Sequence, residues 1–147
     1  MIKKLFEINK NVIKNFSFYL FYGVNEGSKN EKINEILKDI NKENIFTYEE
    51  SQVLSDENSF LETVLNKNLF EEKKIIIIKR ATNKILRLIQ NIVEKNSDNL
   101  IILNSGLLDK KSKLRNYFEK EKQLISVAFY EDTSELLLNI AKKILRE

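Results

Sequence analysis

Residues 16–30 read FSFYLFYGVNEGSKN, and this stretch decides the fold. The aromatic and aliphatic run from Phe16 to Tyr22 favours a β-strand, and Gly23 ends it with a turn. Beyond the turn, Ser28 and Glu31 match the S-x-x-E capping box, which predicts that a helix begins at about residue 29. The stretch therefore predicts a strand, a glycine turn and a helix.

The same alternation continues along the chain. Strands are predicted at 16–22, 44–48, 74–79, 99–103 and 124–129, and helices at 29–42, 57–66, 83–94, 111–120 and 133–146. The third strand, KIIIIK, is apolar without alternation, which is typical of a strand buried on both faces. This order predicts a three-layer α/β fold, in which helices cover both faces of a five-stranded, mostly parallel sheet.

The composition excludes several classes of chemistry. The 147 residues include no Cys and no His, which excludes zinc sites, thiol nucleophiles and Ser-His-Asp triads. We expect neither a metal site nor a cofactor. The longest apolar run is far shorter than the roughly 20 residues of a membrane helix, and the N-terminus does not have the pattern of a signal peptide. We therefore expect a cytoplasmic protein without a membrane partner.

The turn after the first strand lies where phosphate-binding loops occur, because backbone N–H groups and a helix start attract anions. In the pattern G-x-x-x-x-G-K-[ST], Gly23 and Lys29 match. Ser28 replaces the second glycine, and Asn30 replaces the hydroxyl residue that binds Mg²⁺. The third strand ends in Lys79-Arg80, where a carboxylate for Mg²⁺ would be needed. We interpret the turn as a degenerate nucleotide loop. A working nucleotide-binding P-loop is the alternative.

Four stretches point to a family: FYLFYG (18–23), LNKNLFEEKKIIIIKRA (65–81), LIILNSGLLDKKSKLRNYFEKEK (100–122) and VAFYED (127–132). Together they resemble the N-terminal domain of the delta subunit of the bacterial DNA polymerase III clamp loader. The resemblance implies an AAA+-like fold that has lost ATP binding and is not an enzyme by itself. We expect residues 1–132 to form this clamp-binding domain and residues 133–147 to begin a helix leading toward a second domain.

The resemblance also implies a partner. Delta binds and opens the ring-shaped sliding clamp, the beta subunit, through a hydrophobic plug, and Leu69-Phe70 matches the Leu-Phe pair of that plug. Asn68 and Leu65 lie beside it. Adjacent apolar residues in a polar turn are typical of an anchor for a partner's pocket. The residues alone leave another interpretation open, in which Phe70 caps the sheet and contacts Leu65. The other loader subunits would contact C-terminal domains that this sequence does not contain.

A basic cluster is the last candidate site. It consists of Lys110, Lys111, Lys113 and Arg115. These side chains could contact the phosphates of primer-template DNA in an assembled loader, or form a solvated face paired with Glu119 and Glu121. The net charge is only +3, which argues against a dedicated nucleic-acid-binding module. Such a module remains an alternative function.

Overall fold

The computed structural model describes residues 1–66, 73–95, 98–130 and 144–145. Its strands are β1 (Phe18–Tyr22), β2 (Ile45–Glu49), β3 (Ile75–Lys79), β4 (Leu100–Asn104) and β5 (Leu124–Ala128). They form a five-stranded sheet in the order β2-β3-β4-β1-β5, and all four pairings are parallel. The five predicted strands are confirmed, with ends that differ by at most two residues.

Helices cover both faces of this sheet. They are α1 (Lys10–Asn15), α2 (Glu26–Leu37), α3 (Glu50–Ser55), α4 (Glu57–Leu65), α5 (Leu86–Glu94) and α6 (Lys113–Lys120), with 3₁₀ turns at Leu5–Glu7, Lys42–Asn44 and Asn83–Ile85. Helices α1 and α2 pack on one face, and α3 to α6 pack on the other. The predicted three-layer α/β fold is confirmed.

Burial explains why the inner strands are continuously apolar. All five residues of β1 are buried, as are all five of β4 and the first four of β3. Side chains of β1 alternate between the two cores, so that Leu20 packs with Val53 and Phe118 while Phe21 packs with Ile33. An inner strand of this sheet has no solvent-facing side, which leaves few positions for polar residues.

The first long helix begins earlier than the sequence predicts. Helix α2 starts at Glu26 and ends at Leu37, whereas the capping box predicts a helix at 29–42. The side chain of Asn25, rather than that of Ser28, caps the helix, since Asn25 Oδ1 accepts the N–H of Ser28 at 3.0 Å. The cap can lie this close to the strand because Asn25 follows the glycine turn by two residues. Ser28 therefore belongs to the first helical turn.

Two short helices were not predicted. Each of α1 and α3 has six residues, too few to show a clear apolar stripe. Helix α3 is fixed by a buried carboxylate. Glu50 is 7% exposed, and it accepts the N–H of Thr82 at 2.5 Å and the hydroxyl of Thr82 at 2.7 Å. This carboxylate joins α3 to the loop after β3.

The remaining predicted helices differ in outcome. The one at 57–66 corresponds to α4, the one at 83–94 to a 3₁₀ turn followed by α5, and the one at 111–120 to α6. The one at 133–146 lies outside the described residues except for 144 and 145, and the expected division at residue 132 stays a prediction. Among the described helices, none is long and apolar enough to cross a membrane.

Candidate functional site

Gly23 forms a turn that other residues cannot easily adopt. Its φ is +123°, in the region that favours glycine, and a Cβ added to it would collide with the carbonyl oxygen of Phe129. Its N–H donates to the carbonyl of Gly106 at 3.0 Å. The turn after β1 is therefore packed tightly between the turns that follow β4 and β5.

The backbone of this turn is largely engaged within the chain. The N–H of Asn25 donates to the carbonyl of Phe129 at 3.4 Å, and the N–H of Glu26 donates to the carbonyl of Val24 at 3.0 Å. The N–H of Ser28 donates to the side-chain oxygen of Asn25. A loop that cradles phosphate needs such N–H groups to point at the ligand. Here these donors bind protein oxygens.

Lys29 is turned inward. The side chain is fully buried, and its Nζ donates to Glu26 Oε1 at 2.5 Å and to the Ser105 carbonyl at 2.6 Å. A buried ammonium group requires such partners, because its desolvation is costly. Glu26 supplies the negative charge that a phosphate would otherwise bring. The structure thus places Gly23, Ser28 and Lys29 together, with the N–H groups of Gly23 and Ser28 and the ammonium group of Lys29 bonded to protein oxygens.

A cleft of about 530 Å³ lies beside this turn, at the carboxyl ends of the strands. Its walls include Asn30, Lys79, Arg80, Asn104 and Ser105. Arg80 follows β3 with a φ of +55°, and its Nε lies 3.6 Å from a carboxylate oxygen of Glu49. Lys79 and Arg80 therefore both lie at the strand end where a Mg²⁺-binding site would need carboxylates.

The predicted plug lies between α4 and β3. Asn68, Leu69 and Phe70 are outside the described residues, so among the four predicted clamp-binding residues only Leu65 is placed. Leu65 is the last residue of α4 and packs, half-buried, against the core.

Two side chains fix the flanks of this segment, and sequence reasoning missed both. The Nζ of Lys74 donates to the carbonyls of Thr63 at 2.8 Å and Asn66 at 3.3 Å, at the end of α4. Asn99 donates to the carbonyl of Val64 at 2.6 Å and accepts the N–H of Lys74 at 3.0 Å. A Lys that binds the last carbonyls of a helix is a known C-terminal cap, but its partners here lie 8 and 11 residues away in sequence.

The predicted basic cluster separates into two parts. Lys110, Lys111 and Lys113 are exposed. Arg115 is held within the fold, since its Nε bonds Glu119 at 2.6 Å and its guanidinium group lies 5.0 Å from the centre of the Tyr22 ring. The hydrogen bond to Glu119 raises the pKa of Arg115 above its usual value. The Arg115 side chain is therefore less exposed to solvent than those of the three lysines.

The cap at the end of α4 gives a testable prediction. Lys74→Met keeps the aliphatic stem but removes both hydrogen bonds to helix carbonyls, so we expect the free energy of unfolding to fall by about 1–2 kcal/mol. Urea denaturation followed by circular dichroism measures the change. Lys73→Met is the matched control, because Lys73 is exposed and has no hydrogen bond or ion pair to the described residues. Equal stability of the two variants would contradict the role of Lys74.

Both the sequence and the fold of this chain are similar to those of known proteins. No curated protein matches the sequence significantly. Among solved structures, the DNA clamp loader delta protein of Bacillus subtilis superposes with a TM-score of 0.63 at 16% identity, over 94% of this chain and 47% of that protein. This likeness shows a shared fold, and the chain spans about half the length of that relative. The family described as DNA polymerase III, delta subunit matches residues 19–128. Since the match covers most of the sequence, the chain belongs to the DNA polymerase III delta subunit family.

Proposed function

We propose that this chain is the part of a clamp-loader delta subunit that binds the sliding clamp and opens it during DNA replication. The observation that carries the proposal is the family match over residues 19–128, which includes the segment between α4 and β3. Leu69 and Phe70 are the proposed anchors, with Asn68 and Leu65 beside them. Transfer of the two large apolar side chains into a pocket would contribute about 3–6 kcal/mol before the costs of association.

The described flanks support this assignment. Lys74 and Asn99 bind carbonyls in the last turn of α4, and Asn99 also binds the backbone just before β3. Asn66 and Lys74, described residues on either side of positions 67–72, are therefore bonded to each other and to the sheet-and-helix scaffold. A recognition segment attached at two fixed ends loses less conformational freedom on binding than a free tail would.

Ring opening follows from differential affinity. A domain that binds the open shape of the clamp more tightly than the closed shape moves the population toward the open ring by that difference in free energy. No chemical step in this chain is required. The chain corresponds to about half of the Bacillus subtilis delta protein. Contacts with the other loader subunits are proposed for regions outside this sequence.

The closed phosphate loop supports a role without ATP hydrolysis by this chain. The Lys29 ammonium group donates hydrogen bonds to Glu26 and to the Ser105 carbonyl, and several N–H groups of the turn bind protein oxygens. Nucleotide entry would have to break these bonds and leave Glu26 close to a phosphate. We therefore propose that nucleotide-driven steps belong to other subunits of the loader.

The plug can be tested by calorimetric titration of the chain with the sliding clamp of the same organism. We expect Leu69→Ala/Phe70→Ala to weaken binding at least tenfold, a loss of about 1.4 kcal/mol or more, because both apolar anchors are removed. The matched control is Phe6→Ala/Leu107→Ala, which removes one Phe and one Leu that are 80% and 76% exposed elsewhere on the surface. Both variants must keep the circular dichroism spectrum of the parent.

Two results would contradict the proposal. Equal affinities of parent, plug variant and control would move the interface to another part of the surface. A parent that does not bind the clamp even at high concentration would show that this chain does not carry the clamp-binding activity.

The absence of nucleotide binding is a separate prediction. Titration of the chain with ATP in excess Mg²⁺ should give no saturable heat up to millimolar ATP, because the loop donors and Lys29 are already bonded within the protein. A parallel titration in EDTA identifies heats that do not depend on Mg²⁺. Saturable binding that requires Mg²⁺ would contradict the closed loop and favour a working nucleotide site.

A further inference from the structure

The first residues of the chain are docked on the outermost strand of the sheet. Ile2 pairs in parallel with Ser126 of β5. The N–H of Ser126 donates to the carbonyl of Met1 at 2.9 Å, and the N–H of Lys3 donates to the carbonyl of Ser126 at 2.9 Å. In the strand order, β5 lies at the end, next to β1. Residues 1–3 therefore cover part of an open edge of the sheet.

The α-amino group of Met1 is surrounded by three carbonyl oxygens. Its nitrogen lies 2.5 Å from the carbonyl oxygen of Phe118, 2.8 Å from that of Glu121 and 2.6 Å from that of Leu124. Phe118 lies in the last turn of α6, where a helix leaves carbonyl oxygens without an intrahelical partner. The helix dipole also favours a positive charge at this end. The amino group thus joins the end of α6 to the start of β5.

These contacts require a nitrogen that carries no further group. An ammonium group has three N–H donors, a neutral amine has two, and an acylated nitrogen has one. Acylation also removes the positive charge. Burial lowers the pKa of the Met1 amine below its usual value, and the charges of Glu119 and Glu121 partly oppose this. In either protonation state, the free amine can bond more of the three carbonyls than an acylated nitrogen can.

Loss of these contacts would affect the edge of the sheet. An acylated nitrogen would leave at least two of the three carbonyl oxygens without their present donor, and buried polar groups without partners are costly. Release of residues 1–3 would also free the N–H and the carbonyl of Ser126. Free backbone groups on an edge strand can pair with another chain. The free amine therefore protects β5 as well as completing α6.

We propose that the α-amino nitrogen of Met1 is an acylation-sensitive site, at which a formyl or acetyl group releases residues 1–3 from β5. A chain synthesised with an N-formyl group then depends on hydrolytic deformylation to reach this structure. In that reaction water adds to the formyl carbon, the bond between carbon and nitrogen breaks, and formate and the free amine are the products. The inference does not rest on the clamp proposal, because β1 and β4 lie between β5 and β3.

The test compares the full chain with a free amine and the same chain with an Nα-formyl group, made by expression in bacteria whose deformylase is inhibited. Mass spectrometry of the N-terminal peptide confirms each form. We expect formylation to lower the melting temperature by about 5–10 °C, since hydrogen bonds and a charge at the helix end are lost. The rate of amide exchange at Ser126 should rise at least tenfold more than the rate at Ile101, which lies in the inner strand β4.

Two extended chains supply the matched control. Gly-Ser placed before Met1 is attached to the docked nitrogen, whereas Gly-Ser placed after Glu147 adds the same two residues at the other end of the chain. The first extension should lower the melting temperature as the formyl group does. The second should leave it unchanged.

Four results would overturn the inference. Formylated and free chains could melt at the same temperature, or both extensions could lower the melting temperature alike. Exchange could accelerate equally at Ser126 and Ile101, which would show a general loss of stability without release of residues 1–3. Finally, the folded chain isolated from its own cells could carry an acyl group or a further residue on the Met1 nitrogen.

Discussion

The parallel placement of β1 between β4 and β5 is the constraint on which the rest of the structure depends. All five residues of β1 are buried, and its neighbours are paired in register on both sides, with Phe18 opposite Ile101 and Leu124. Parallel strands need crossover connections, and these connections supply the helices that cover both faces. The same pairing brings the turns after β1, β4 and β5 into contact, where Gly23 packs against Phe129 and bonds Gly106.

Parallel pairing also gives the sheet two different edges. The carboxyl edge contains the turn with buried Lys29 and the adjacent cleft. The amino edge contains the start of β3, where Lys74 and Asn99 hold the end of α4. The proposed clamp contact therefore lies at the amino edge, away from the turn and the cleft of the carboxyl edge.

Much of the fold could be predicted from the sequence because the inner strands are buried on both faces. A run such as Ile75–Ile78 has few other structural interpretations, and the glycine turn after β1 marks the first crossover. Helices α1 and α3 were missed because six residues contain too little periodicity. The start of α2 was misplaced because Ser28 and Asn25 are both good helix caps, and only the structure shows that Asn25 is used.

The candidate site was less predictable, for a physical reason. Residue types and spacing predicted a degenerate loop that contains Lys29, Ser28 and Asn30, but they could not show that Lys29 is buried and bonded to Glu26. The roles of Lys74 and Asn99 depend on tertiary contacts with α4. The link between the loop after β3 and the start of α6 depends on the contact between Asn83 and Ser112, which are 29 residues apart. Sequence patterns indicate which residues are neighbours along the chain. These contacts instead join residues that the fold brings together from distant parts of the sequence.

We propose above all that the sliding clamp contacts the region between α4 and β3. Hydrogen–deuterium exchange of the chain, measured with and without the sliding clamp, tests it most directly. We predict that the clamp slows amide exchange in peptides covering residues 61–75 and leaves exchange unchanged around Arg80 and Ser105 at the carboxyl edge. Protection confined to the carboxyl edge, with none at residues 61–75, would contradict the account.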